Sequence, residues 1–266
     1  MPQSPANPSP APSVQVVIEP LDQGVIARVT LDNAAKLNTL GTELMIAFVQ
    51  TVEALGQRED LRAVVLTGAG EKAFIGGANI FEMAGLDRDG AQAFITLVHR
   101  TCACLRDLPV PVIARLNGYA LGAGLEVAAA CDLRIASSNA VFGMPEVKVG
   151  IPSVVEAALL PGLIGWGRTR ELLLFGENID ATTALAWGLV EQVVAPEALD
   201  AAVEARLAAL LSCGPQAVRL QKRLIRRWED LTLSQAVQAG IESFAQAYAT
   251  DEPTRMMGAF AKRRSR

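Results

Sequence analysis

No stretch of the chain limits its fold more than Asn117-Gly118-Tyr119-Ala120-Leu121-Gly122-Ala123-Gly124-Leu125-Glu126-Val127-Ala128-Ala129-Ala130-Cys131-Asp132. Val110-Pro111-Val112-Ile113-Ala114 before it has the pattern of a buried strand, and the Ala-rich part that ends it has the pattern of a buried helix. A strand therefore delivers the chain to a Gly-rich turn, and a helix starts there. The opening N–H groups of a helix lack partners and lie at its positive dipole end, so Gly122, Ala123 and Gly124 are expected to offer free donors to an anion or oxyanion. Glu126, three residues after Ala123, shares its helical face. A carboxylate surrounded by residues that belong inside is rare unless paired or used, which makes Glu126 a candidate catalytic group. For the glycines alone the competing reading is close helix–strand packing.

The flanking chain reads as α/β. Val14–Glu19 and Val25–Leu31 are β-rich runs on either side of a hairpin signal, Leu21-Asp22-Gln23-Gly24. Met45, Phe48, Val52 and Leu55 recur at helical spacing up to Gly56, and Leu61–Thr67 is another strand. A second Gly-rich strand exit follows, from Gly68 to Ile80. Two such exits are what an oxyanion hole of two backbone amides from separate segments requires. Ala91–Leu108 reads as a helix, and Met144-Pro145-Glu146-Val147 places a second carboxylate, Glu146, in an apolar loop expected to be buried. Two carboxylates in different environments suit an acid–base pair. From Val154 the chain turns helical, over 154–164, 168–175, 181–187, 201–211, 216–228 and 234–249, with one short strand at Leu189–Val194 and a break at Glu252-Pro253.

Composition removes other classes. A net charge of −4 argues against a general nucleic-acid surface, and the basic residues Arg219, Lys222, Arg223, Arg226 and Arg227 read as a solvated helical face. The chain has one histidine, His99, which disfavours His-dependent triads and metal sites; with Cys102 and Cys104 it reads as a packing residue. Four cysteines without a CxxC pair suggest reduced thiols in a cytoplasm. The Pro-rich residues 1–13 read as a disordered lead without signal-peptide character, and no apolar run approaches the ~20 residues of a membrane span. Gly162–Thr169 imitates a phosphate-binding loop, but Arg168 stands where Lys is required and no strand precedes it. Gly122-Ala123-Gly124 lacks the third glycine of a dinucleotide turn, since Val127 occupies it.

From about Val14 to Arg264 the sequence resembles the enoyl-CoA hydratase/isomerase, or crotonase, superfamily. The resemblance rests on Ala73–Ile80, Asn117–Asp132, Phe142-Gly143-Met144-Pro145-Glu146 and Ala186-Trp187-Gly188-Leu189-Val190. It implies a spiral of ββα units over residues 14–210, then a helical oligomerisation region over 211–266, assembled as a homotrimer or homohexamer. It also implies hydration of 2-enoyl-CoA to 3-hydroxyacyl-CoA, with the Ala78 and Ala123 amides as oxyanion hole, Glu126 activating water and Glu146 protonating Cα. Lys36, Leu37, Gly76, Gly77, Ile80 and Gly122 fall on implied substrate or CoA contacts. No metal or cofactor is expected beyond the CoA of the substrate, and neither a nucleic acid nor a membrane is expected as a partner. The alternatives are a double-bond isomerase using Glu146 alone and a non-catalytic oligomer of the same fold. The sequence departs from the family pattern at Asn79, at Ser153-Val154-Val155-Glu156 in the acyl-pocket segment, and at Arg255-Met256.

Overall fold

The computed structural model describes residues 11–264. Residues 1–10 of the expected lead lie outside them, and the first strand already begins at Ser13. β1 (Ser13–Leu21) and β2 (Gly24–Asp32) form the expected antiparallel hairpin. α1 (Thr42–Gly56), β3 (Leu61–Gly68), β4 (Ala73–Ile75), α2 (Ile80–Met83) and α3 (Arg88–Asp107) follow. β5 (Val112–Leu116), β6 (Tyr119–Leu121), α4 (Ala123–Ala130), β7 (Leu133–Ser137) and β8 (Val141–Gly143) complete the central part. The remainder is α5 (Leu160–Phe175), β9 (Ile179–Asp180), α6 (Ala181–Trp187), β10 (Gln192–Val194) and α7 (Leu199–Leu211), then α8 (Pro215–Trp228), α9 (Leu233–Ala247) and α10 (Glu252–Arg264).

The strands make two sheets, one in the order β1-β2-β3-β5-β7-β10 and one in the order β4-β6-β8-β9. Each turn of the chain lays a longer strand in the first sheet, a short one in the second, and a helix after it, which is the ββα spiral. Within the spiral the neighbours are parallel, as in β3 beside β5 and β4 beside β6. Parallel strands are covered on both faces and read as continuous apolar runs. β3 shows the consequence: Val64 and Leu66 face one core with Phe48, Phe74, Leu116 and Leu125, while Ala63 and Val65 face a second core closed by Leu199, Val203 and Leu207 of α7.

The elements differ from the sequence reading in three places. The Gly-rich turn contains a strand of its own, β6, so the chain changes sheets before α4 begins. The segment expected to be helical over 154–164 is a 3-10 turn at Val155–Leu159 followed by α5, and Gly165 (φ 76°, ψ 160°) interrupts α5. The phosphate-loop imitation therefore lies on a kinked helix. The short strand near Leu189 is confined to β10, whereas the expected break at Glu252-Pro253 falls where α10 begins.

Among the described residues no helix is long and apolar enough to cross a membrane. The cysteines are unpaired, with Cys102 and Cys131 buried. α8 is fastened to the core by Lys222, expected on a solvated face but buried. Its ammonium donates to the carbonyls of Leu105 and Val110 at 3.1 and 2.8 Å and to Asp132 Oδ2 at 2.6 Å. Asp132 is about a third exposed, so removing the ammonium mainly leaves the two carbonyls and the carboxylate without that donor, at about 1.5–3 kcal/mol. Lys222→Met is expected to lower the unfolding free energy read from urea titration by an amount of that order, seen as a lower midpoint at unchanged slope. A midpoint equal to that of the wild type would show that α8 is held by apolar packing alone.

Candidate active site

The site grows out of the pairing of β4 with β6. Ile75 lies opposite Ala120, and three residues further along each chain stand Ala78 and Ala123. The two segments approach closely because Gly124 has no side chain: a Cβ there would run into the carbonyl of Ile75. Ala78 is clamped from both sides, by Leu40 N–H donating to the Gly77 carbonyl (2.9 Å) and Asn79 N–H donating to the Leu40 carbonyl (2.8 Å). Among the described residues neither the Ala78 nor the Ala123 N–H donates a hydrogen bond. The Gly122 N–H is different. It donates to the Gly143 carbonyl at 2.9 Å, so it is not the free donor expected from its place before the helix.

Glu126 lies one turn into α4 and is 4% exposed. Its Oε1 accepts from the Ala157 N–H at 3.1 Å. Its carboxyl is raised to about 8, by burial above all, with the Ala157 bond pulling it down in part and the charges of Glu146 and Glu156 adding to the rise. Glu146 sits on a 3-10 turn, Pro145–Val149, and is half-buried rather than buried. The Ser153 hydroxyl donates to its Oε2 at 2.7 Å. Its Oε1 rests against Gly122, which has φ 52° and ψ −124° and where a Cβ would collide with that oxygen. Gly122 thus makes the turn and makes room for the second carboxylate.

A third carboxylate escaped the sequence reading. Glu156 is 4% exposed, its Oε1 bonds His99 Nδ1 at 2.8 Å, and its Oε2 has no partner among the described residues. His99 is therefore not a packing residue; it is half exposed and partners a buried acid. The signal in the sequence is the one that marked Glu126, a carboxylate followed by an apolar run, Ala157-Ala158-Leu159-Leu160. Cys102 lies near both, its thiol raised well above the usual range by burial and then by Glu156 and Glu126.

The remaining expected contacts gather beside Ala78. The Leu37 carbonyl accepts from the Gly76 N–H at 2.8 Å, and Leu37 itself has φ 56°. Lys36 and Leu37 are exposed on the rim, and Ile80 is exposed at the start of α2. Asn79 turns its side chain away from the site, accepting from Phe81 N–H at 3.1 Å and donating to Glu82 at 2.8 Å. The arrangement offers two N–H groups without an acceptor among the described residues and two carboxyls, one dry and one half-solvated, around the start of one helix. Such a set can hold a developing oxyanion and move a proton beside it.

The folded protein holds the Glu126 proton more tightly than the unfolded chain, whose glutamates titrate near ~4.3. The penalty of ionising Glu126 in the fold is therefore absent at low pH, grows from there to about 8 and is constant beyond. Glu126→Gln is expected to gain stability over the wild type across that window, read as diverging urea midpoints. Midpoints that stay parallel with pH would contradict the burial.

A family model described as enoyl-CoA hydratase/isomerase matches residues 22–266. The short-chain-enoyl-CoA hydratase of Clostridium acetobutylicum is 36% identical over 243 residues, 91% of this chain and 93% of that protein. The crotonyl-CoA hydratase of Syntrophomonas wolfei is 34% identical and covers 90% of this chain and 92% of its own. The crystal structure of enoyl-CoA hydratase from Bacillus anthracis superposes with a TM-score of 0.87 at 31% identity, over 93% of this chain and 96% of that one.

Proposed function

Because the chain belongs to the enoyl-CoA hydratase/isomerase family, we propose that it adds water reversibly to the 2,3-double bond of a 2-enoyl-CoA, giving the 3-hydroxyacyl-CoA. The observation that carries the reading is the meeting of Glu126 and Glu146 at the start of α4, beside the unoccupied Ala123 amide. The relatives' names, short-chain and crotonyl, make crotonyl-CoA the substrate to try first.

In this scheme the thioester oxygen lies between the N–H groups of Ala78 and Ala123, each contributing ~3 kcal/mol as negative charge builds on it. Glu126 as carboxylate takes a proton from water while the water oxygen bonds C3, and Glu146 gives its proton to C2. The step ends with the proton on Glu126 and Glu146 ionised, which is the state from which dehydration starts. One proton thus serves both directions. Burial favours its resting on Glu126, and hydration begins once it has passed to Glu146. No metal ion or redox cofactor enters these steps, since coenzyme A arrives with the substrate.

Residues 14–210 form the catalytic core in this reading and residues 211–266 an oligomerisation region. Leu233, Val237, Ile241 and Phe244 along α9, with Tyr248 at its C-cap, line up at helical spacing and are exposed in the single chain, which supports a trimer or hexamer. Four unpaired thiols suit a reducing compartment, the cytoplasm.

Loss of conjugated-thioester absorbance with crotonyl-CoA, accompanied by a 3-hydroxy product, is the expected result. A product with only a shifted double bond would favour isomerisation, and no turnover across several acyl lengths would favour a non-catalytic protein. Glu126→Gln and Glu146→Gln should each lower kcat by ~10²–10⁴-fold with folding intact. In the wild type kcat/KM should fall as pH rises through about 8, where the shared proton leaves Glu126. A rate that climbs through that pH would assign Glu126 as a base that need only be ionised.

A further inference from the structure

We propose that Ser153 is a positioning residue that decides which oxygen of Glu146 carries the proton delivered to the substrate. The inference rests on the hydratase reading and extends it to a side chain outside the two glutamates. Glu146 lies on a single 3-10 turn and is half-buried, so its own backbone does little to fix its carboxyl. Gly150 (φ 84°) then turns the chain back, with Ile151 N–H donating to the Glu146 carbonyl at 3.2 Å. That return brings the half-buried Ser153 to Glu146, where its hydroxyl donates to Oε2 at 2.7 Å.

A hydroxyl hydrogen directed at Oε2 keeps that oxygen an acceptor, and the mobile proton is left to Oε1. Oε1 is the oxygen against Gly122, next in sequence to the Ala123 amide. The proton is therefore carried on the side of the reacting centre. In hydration it passes from Glu146 Oε1 to C2 as water adds its oxygen to C3 and its proton to Glu126; the Ser153 O–H bond stays intact. Without the hydroxyl the carboxyl is free to rotate, and either oxygen can hold the proton. A serine that merely closed the turn would leave the reaction indifferent to its hydroxyl.

The test compares Ser153→Ala and Ser153→Thr with the wild type in crotonyl-CoA hydration, together with crystal structures of all three. Loss of a hydrogen bond to a charged group corresponds to roughly 10- to 100-fold, so Ser153→Ala is expected to lose about that much kcat. KM and melting temperature should be little changed, and Ser153→Thr should retain most of the activity. In the structures the Glu146 carboxyl should hold one orientation, with one oxygen against Gly122 and the other on the hydroxyl, in the wild type and in Ser153→Thr, and should be rotated or spread over several orientations in Ser153→Ala. A Ser153→Ala enzyme with wild-type kcat, or one in which the carboxyl keeps its orientation, overturns the proposal. Failure of the wild type to hydrate any enoyl-CoA would count against the hydratase reading instead, and the orientation of Glu146 in the three structures would still decide the role of Ser153.

Discussion

The chemistry of this molecule depends on how near the first turn of α4 comes to the end of β4. Parallel pairing of β4 with β6 sets the register, and the missing side chain of Gly124 lets the helix settle against the Ile75 carbonyl. Any Cβ at that position would push α4 outward. The Ala123 amide would then leave Ala78, Glu126 would leave the Ala157 N–H, and Gly122 would leave Glu146, all in one displacement. Close packing and the proposed oxyanion site, which compete as explanations of these glycines in the sequence, thus depend on the same contact. Gly124 supplies the approach, Gly122 the turn and the space for a carboxylate, and Ala123 the donor.

The rest of the fold holds that contact still. Successive residues of β3 serve two cores, one beneath α4 and one beneath α7, so the sheet is fixed from both sides. Arg134, buried behind α4, donates to the carbonyls of Leu189 and Cys131 and pairs with Glu191, tying the end of the helix to the segment before β10. Asp132 Oδ2 accepts from both Val112 N–H and Lys222, which joins β5, the exit of α4 and α8 at one oxygen. Buried charges of this kind are weak sources of net stability, but they permit few alternative arrangements.

What the sequence made legible followed from periodicity and local contrast. The hairpin, α1, α3 and α6 are long or sharply bounded, and their apolar spacing sufficed to place them. β4, β6 and β8 have three residues each and are held by strands distant in the chain, so no local pattern announces them. α10 carries little apolar periodicity, and Pro253, which reads as a break, sits in its first turn. Glu126 was legible because every neighbour is apolar. Glu156 carries a similar signal, but its partner His99 is 57 residues away, and only the packing of α3 on the 155–159 turn reveals the pair. The capture of the Gly122 amide by Gly143 was hidden for the same reason, since the acceptor lies on another strand.

The central claim is that Glu126 and Glu146 hold one catalytic proton between them, with burial setting where it rests. Groups that share a proton act as a unit, and removing the second after the first has little left to remove. The direct measurement is a double-mutant cycle in kcat/KM for crotonyl-CoA hydration, using Glu126→Gln, Glu146→Gln and the combined variant. The account predicts a double variant within about threefold of the slower single variant. Losses that multiply would mean that each carboxyl works alone, and would contradict it.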